Sequence, residues 1–366
     1  MTLNIKEVIR SNDYDFLRTD KNVANRIMLL TFGGSYSYGT STEDSDIDLR
    51  GISLSTPEKL LGISDFTQLR ESDKDTTIYE FNRYIQLAME CSPNILEMLG
   101  CKPEHYGILT EQGKMLIDNR KLFLTTKAKS KFCGYSREQL ARLELALEDL
   151  RIASKNPDGR QVISDEEFED IKKNQEKRAK YIVDTLMNEI NSIEDRYGFE
   201  RGTFSFRVST KKTKNGTPEI EIIPNEKLFN RPFNIRELRE FAGTLTNIVN
   251  SYDTMGKRNR YAFNVSSKRL DKHAMHCVRT LMTGLDVIKT GDIITYRGKD
   301  LDLLMAIRNG EYRQSEFEYS QKFYDLINKL ENDIQRESLT SKLPDKPDID
   351  KIEKFKMAVN MVALSM

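Results

Sequence analysis

Two carboxylates separated by one residue, Asp46 and Asp48 in SDIDLRG, are the chemistry-bearing pair of this chain. In an extended segment, residues two apart project to one face, with Cα atoms about 6 to 7 Å apart. Bare carboxylates that close repel, and one holds a proton unless a cation removes the conflict. Oxygen ligands of this kind suit Mg²⁺ or Mn²⁺ with some waters retained. Two such ions about 3.5 to 4 Å apart activate an attacking hydroxyl and neutralise a leaving pyrophosphate. Ahead of the pair stands Gly33-Gly34-Ser35. The glycines let a phosphate approach backbone amides, and Ser35 adds a hydroxyl and an amide at the start of a short helix. Far downstream, Lys272, His276 and Arg279 fall at i, i+4 and i+7 on one helical face, with His273 beside them. A lysine, a histidine and an arginine on one side of a largely apolar helix make a candidate polyphosphate clamp. Alone, a GGS turn is usually a turn and a DxD a solvated edge. It is their order that points to phosphate and metal chemistry.

The elements that must position these groups follow from periodicity. Met28 to Phe32 is a short apolar run bounded by glycines, which predicts a buried strand ending in a turn. SDIDLRGISL predicts a strand with Asp46, Asp48 and Arg50 outside the apolar core. Residues 65–81 predict a hairpin whose polar turn spans Ser72 to Asp75 and whose return strand runs from Thr76 to Phe81. A helix follows with Tyr84, Leu87, Ala88 and Cys91 on one side, stopping before Pro93. From Asn119 onward helical periods dominate, including residues 166–198, 234–252 and 268–289, and a final amphipathic helix. One hairpin interrupts them at residues 202–224, marked by Asn215-Gly216 and carrying Lys211, Lys212 and Lys214 near its tip. A lysine-rich edge commonly serves to prevent strand pairing, and its other use is to contact a nucleic-acid backbone. The fold class expected is α+β, with a small mixed sheet and helices in residues 1–118. A mainly α-helical domain with the hairpin insertion follows in residues 119–366.

With 366 residues, two domains are the prior. Lys+Arg and Asp+Glu both number 57, so no net field draws the chain to nucleic acid, and any such binding must be local. Cys91, Cys101, Cys133 and Cys277 never take C-x-x-C spacing, which argues for reduced thiols rather than a zinc site. No signal-peptide h-region and no long apolar span is present, so the expected location is cytoplasmic, away from membranes.

Gly34, Ser35, Gly39, Asp46 and Asp48 together resemble the G-S-x-x-x-G … D-x-D pattern of the polymerase-beta-like nucleotidyltransferase superfamily. With SPNILEMLG at residues 92–100 and DKHAMHCVR further on, the chain is similar to the branch often called YcgL-like, or RNA-repair-pathway. The N-terminal likeness spans roughly residues 25–100 and is specific; the later one is looser. The resemblance implies that Gly33, Gly34 and Ser35 hold a nucleoside triphosphate and that Asp46 and Asp48 hold Mg²⁺ or Mn²⁺. It also implies a third carboxylate from a following strand. Asp75, at the start of the return strand, fits that position best as catalytic group and metal ligand, and Glu80 is the competitor; on a regular strand the two face opposite ways. Lys272, His276 and Arg279 would then grip the β and γ phosphates. The reaction implied is transfer of a nucleoside monophosphate to an acceptor hydroxyl, with RNA as the expected acceptor. A protein or small-molecule acceptor, or a non-catalytic nucleotide-binding regulatory subunit, is the alternative. This chain departs from many relatives in carrying Tyr36 and Tyr38 where they carry arginines, which suggests rings that stack on a base.

Overall fold

A computed structural model describes residues 3–63, 65–155, 197–212, 218–226 and 267–366, together with single positions in 187–195 and 239–243. The helices expected at residues 166–198 and 234–252 lie largely outside the described residues, as do Lys214 and the rest of the 213–217 hairpin tip.

The sheet grows from β1 (Ile27–Phe32), in which every residue is buried. It pairs antiparallel with β2 (Leu49–Ser53) on one side and, across the other edge, with the strand Tyr106–Leu109. Since every residue is buried, both faces of β1 are covered, which is why its sequence is a continuous apolar run rather than an alternating one. Outward from β2 come β4 (Thr76–Glu80), parallel to β2, and then β3 (Gln68–Glu71), antiparallel to β4 at the edge. The strand Tyr106–Leu109, β5, closes the opposite edge, giving the order β3-β4-β2-β1-β5. One face packs on Ile5, Tyr14, Leu17 and Val23 from the N-terminal turns, which join Leu30, Phe32, Leu49 and Ile78 in one apolar cluster. Burying each such side chain contributes about 1.5–3 kcal/mol.

Three helices matter for the site. The turn helix α1 (Gly34–Tyr38) follows β1 directly. Helix α2 (Phe81–Met89) follows β4 and buries Phe81, Tyr84, Ile85 and Ala88, a 3.6-residue period. Helix α3 (Ser267–Thr290) covers the expected segment 268–289 and is apolar along most of its buried face, with Leu270, Ala274, Met275, Val278 and Leu281 inside. The late hairpin is present as β6 (Phe204–Lys212) and β7 (Pro218–Pro224), paired antiparallel. The architecture is thus α+β, a mixed sheet with helices followed by helical segments and a small hairpin.

Two local expectations change. The acidic stretch is not strand throughout: β2 begins at Leu49, and Asp46 and Asp48 lie in the segment leading into it. The compact units also do not follow a 118/119 division. One comprises residues 1–140, 271–315 and 319–366; the other comprises 141–270 and 316–318. The apolar face of α3 is the physical reason: its buried residues belong to the first unit from Asp271 on. The four cysteines are free, and no helix among the described residues is long and apolar enough to cross a membrane.

Candidate active site

The site starts at the turn between β1 and α1. Gly33 is extended and donates its amide to the Asp48 carbonyl at 2.8 Å, so the turn and the acidic segment are laced together through main chain. Gly34 has φ +52°, and a Cβ there would stand 1.8 Å from Oδ2 of Asp48. Only glycine fits, both for the left-handed backbone and because the Asp48 carboxylate occupies the space a side chain would need. Ser35 is buried in the first turn of α1. Gly39 closes the helix at φ +83°, with the Tyr296 ring where its Cβ would be.

The parallel pairing of β2 with β4 supplies the partner. Leu49 stands opposite Thr76, and the Leu49 amide donates to the Asp75 carbonyl at 3.3 Å. Asp48 and Asp75, one residue before each, are thereby neighbours, and their carboxyl groups hydrogen-bond to each other. Burial first, then that hydrogen bond and the charge of Asp75, push Asp48 up to about 7. Asp75 moves the other way: the hydrogen bond from Asp48 lowers it, helped by the charge of Arg50. Below about pH 7 the pair therefore holds one proton, on Asp48, and above it the proton is lost.

Glu80 is not part of this pair. The register puts it opposite Ser53, about 16 Å along the strand from Asp75. It is buried, accepts from Ser55 Oγ at 2.9 Å and caps α2 by accepting from the Arg83 amide at 2.8 Å. Its role is to start a helix. Asp46 is exposed on the lead-in, and among the described residues no group of three His, Cys, Asp or Glu side chains converges on one point. The donor set that the fold assembles is Asp48 with Asp75. It suits a hard divalent cation, which would take the place of the shared proton.

Sequence reasoning missed Arg50 as part of the site. Its guanidinium pairs with Asp75 at 3.1 Å and with Asp48 at 3.8 Å, and donates to the Leu49 carbonyl at 2.9 Å and to the Asp75 carbonyl. Asp75 is a non-glycine residue at φ +36°, and Arg50 binds both its carboxylate and its main chain. The signal was the two-residue spacing Asp48-x-Arg50, which puts cation and anion on one face. A cavity of about 330 Å³ opens over this face, lined by Gly33, Gly34, Arg50, Asp75, Thr77 and Arg70 among others. Arg50, Thr77 and Arg70 stand at one level across three strands.

The expected clamp divides. Arg279 is 3% exposed, pairs with the buried carboxylate of Glu97 and stacks 3.6 Å from the centre of the Tyr38 ring. Tyr38 in turn donates its hydroxyl to Glu97 at 2.8 Å. Arg279 is consumed by the fold, because its face of α3 meets an acid and an aromatic ring. His276 lies edge-on to Tyr38 at 5.9 Å between ring centres. Burial, then the charges of Arg279, His273, Lys272 and Arg308, hold its pKa well below the ordinary histidine value. A neutral imidazole brings no charge to a phosphate. Lys272 remains half-buried and open, and its charge reaches Asp48. Both loop tyrosines pack within the protein: half-buried Tyr36 stacks one face on Phe32 at 5.3 Å, and Tyr38 is buried.

A strand, glycine turn and short helix, followed by an acidic segment leading into a strand paired in parallel with a strand preceded by another carboxylate, are consistent with a polymerase-beta-like domain. Residues 8–156 match the model of RlaP, the RNA repair pathway DNA polymerase beta family. Over 329 residues the chain is also 24% identical to an uncharacterized 38.9 kDa protein in the nrdC-mobD intergenic region of Enterobacteria phage T4. That alignment spans 84% of this chain and 89% of the phage protein. No solved structure matches.

Proposed function

We propose that this protein is a metal-dependent nucleotidyltransferase that moves a nucleoside monophosphate from a nucleoside triphosphate to a hydroxyl at an RNA end, as in end repair or tailing. The observation that carries this reading is the β2–β4 register, which brings Asp48 and Asp75 together beside the Gly33–Gly34 turn. The family match supports RNA repair as the setting.

The Gly33 amide is already used by Asp48, so the phosphate cradle consists of Gly34 and Ser35 at the start of α1. Asp48 and Asp75 would hold Mg²⁺ or Mn²⁺, which when bound lowers the pKa of the acceptor hydroxyl and neutralises charge on the departing pyrophosphate. Asp75, held ionised by Arg50, orients that hydroxyl. The oxygen–α-phosphorus bond forms, the bond from the α-phosphorus to the bridging oxygen of the β-phosphate breaks, and the hydroxyl proton leaves to water by way of Asp75. Arg70, exposed on the edge strand and aligned with Arg50, gives the side beyond Asp75 a positive edge suited to an anionic acceptor. Asp46 is proposed as an additional metal ligand from the lead-in segment.

The test is incubation with each labelled triphosphate, Mg²⁺ or Mn²⁺, and either RNA or total protein. Label in RNA supports the reading, and label in protein or a small molecule reassigns the acceptor. Nucleotide binding without transfer to any acceptor leaves a regulatory subunit. Transfer that persists in Asp48→Ala refutes the site.

A further inference from the structure

Helix α4 (Leu301–Arg308) ends on an arginine that no motif marks. Arg308 donates through Nη1 to the Thr40 carbonyl, and through Nη2 to Thr42 Oγ1 at 3.2 Å and Ser45 Oγ at 3.3 Å. Thr42 and Ser45 close a turn on each other: the Thr42 amide donates to Ser45 Oγ at 2.8 Å, and the Ser45 amide to the Thr42 carbonyl at 3.0 Å. That turn makes up four of the six residues between Gly39, where α1 ends, and Asp46. One guanidinium therefore secures the loop joining the phosphate cradle to the acidic pair.

All the acceptors that Arg308 has are neutral oxygens. It is half-buried, and among the described residues no carboxylate lies within ion-pair distance of it. The same holds for Lys272, one helical turn ahead of His276, whose ring rests on Tyr38 of α1. In a chain with equal numbers of acids and bases, two half-buried cations with no carboxylate within ion-pair distance, one holding the loop before Asp46 and the other reaching Asp48 by its charge, mark a place built for an anion. A guanidinium has five N–H donors, and the three neutral contacts of Arg308 leave donors over.

We infer that Arg308, with Lys272, binds the β and γ phosphates of the nucleoside triphosphate, and that Arg308 carries triphosphate occupancy to the loop bearing Asp46 and Asp48. This rests on the donor-substrate reading above and replaces Arg279 and His276 as the grip on the polyphosphate tail.

The experiment measures equilibrium binding of inorganic tripolyphosphate, a non-hydrolysable nucleoside triphosphate and the matching monophosphate to the full chain. It compares wild type, Arg308→Gln, Arg308→Lys and Lys272→Gln. Loss of a charge-assisted contact predicts that Arg308→Gln weakens tripolyphosphate and triphosphate binding roughly 10- to 100-fold and monophosphate binding less than about 3-fold. Arg308→Lys should fall between, since a point charge keeps the attraction and loses the fork of loop contacts. Tripolyphosphate affinity within about 2-fold of wild type in a folded Arg308→Gln protein overturns the inference. If that variant does not fold, Lys272→Gln decides by the same criterion. Tripolyphosphate binding that depends on Arg308 while no label reaches any acceptor would leave this site standing and sink the transferase reading. Undiminished binding in a transfer-competent variant would do the reverse.

Discussion

Asp48→Asn tests the carboxyl pair without any substrate. Asparagine is nearly isosteric with the protonated acid and keeps a donor toward Asp75, so the variant imitates the low-pH form of the site at every pH. Asp48 is raised from 3.8 to about 7. A group raised on folding contributes stability that is fully present below its unfolded value and is lost as pH rises through its folded value. The window is therefore about pH 4 to 7, and wild type should lose stability across it. Asp75 is lowered, so its own contribution changes below 3.8, outside that window. At about 1.4 kcal/mol per pH unit the ceiling is near 4 kcal/mol. Partial exposure and the nearby Arg50 charge reduce this to about 1–2 kcal/mol. In thermal melts with chelator at pH 8, Asp48→Asn should melt about 1–3 °C above wild type. Adding Mn²⁺ should raise the wild-type midpoint and leave the variant's unchanged, because the cation replaces the proton that asparagine mimics. An Asp48→Asn protein no more stable than wild type at pH 8, or a wild-type melt flat between pH 4 and 8, would refute the shared-proton account.

Other substitutions separate the roles of neighbouring residues. Glu80→Gln should keep nucleotide transfer within a few-fold while costing about 1 kcal/mol in denaturant melts, since it caps α2; Asp75→Asn should abolish transfer at little cost in stability. Loss of transfer in Glu80→Gln at full stability would reverse that assignment. Gly34→Ala forces a Cβ onto the Asp48 carboxylate at a left-handed position, and should abolish both transfer and Mn²⁺ binding measured by calorimetry. Arg279→Met leaves the Glu97 carboxylate buried without its cation and should lower stability by about 3–5 kcal/mol. A wild-type melting curve for that variant would show that the buried pair contributes nothing. Mn²⁺ affinity should rise with pH up to about 7, as Asp48 gives up its proton; an affinity independent of pH from 5 to 8 contradicts the proposed exchange.

What was legible in the chain was local. The apolar run before Gly33 and the turn at Ser72 to Asp75 follow from residue type and short-range periodicity, and they stand where expected. The choice between Asp75 and Glu80 turns on strand pairing, which residues 49–53 make with residues 76–80 across a long connection. Alternation along one strand shows that the two face opposite ways; only the parallel register shows which face meets Asp48. Arg50 was hidden for a similar reason. Its spacing from Asp48 is visible, but its hold on the Asp75 main chain exists only once the strands are side by side.

The late helix shows where periodicity stops being informative about chemistry. Spacing correctly puts Lys272, His276 and Arg279 on one side of α3, and says nothing of what that side meets. It meets Tyr38, in the loop after the glycine turn, and Glu97, brought up by the turn after the helix Pro93–Leu96. A guanidinium stacked on that tyrosine returns positive charge to the loop from another part of the chain, yet Glu97 cancels it before it can reach a phosphate. Tyr38 therefore does not bring Arg279 to a phosphate. Tyr38 makes the loop a packing surface for α3, so that the phosphate grip proposed above falls to cations held in no ion pair. Lys272 satisfies that condition on α3, and Arg308, on a different helix and invisible to any helical-face argument made for α3, satisfies it beside the acidic loop.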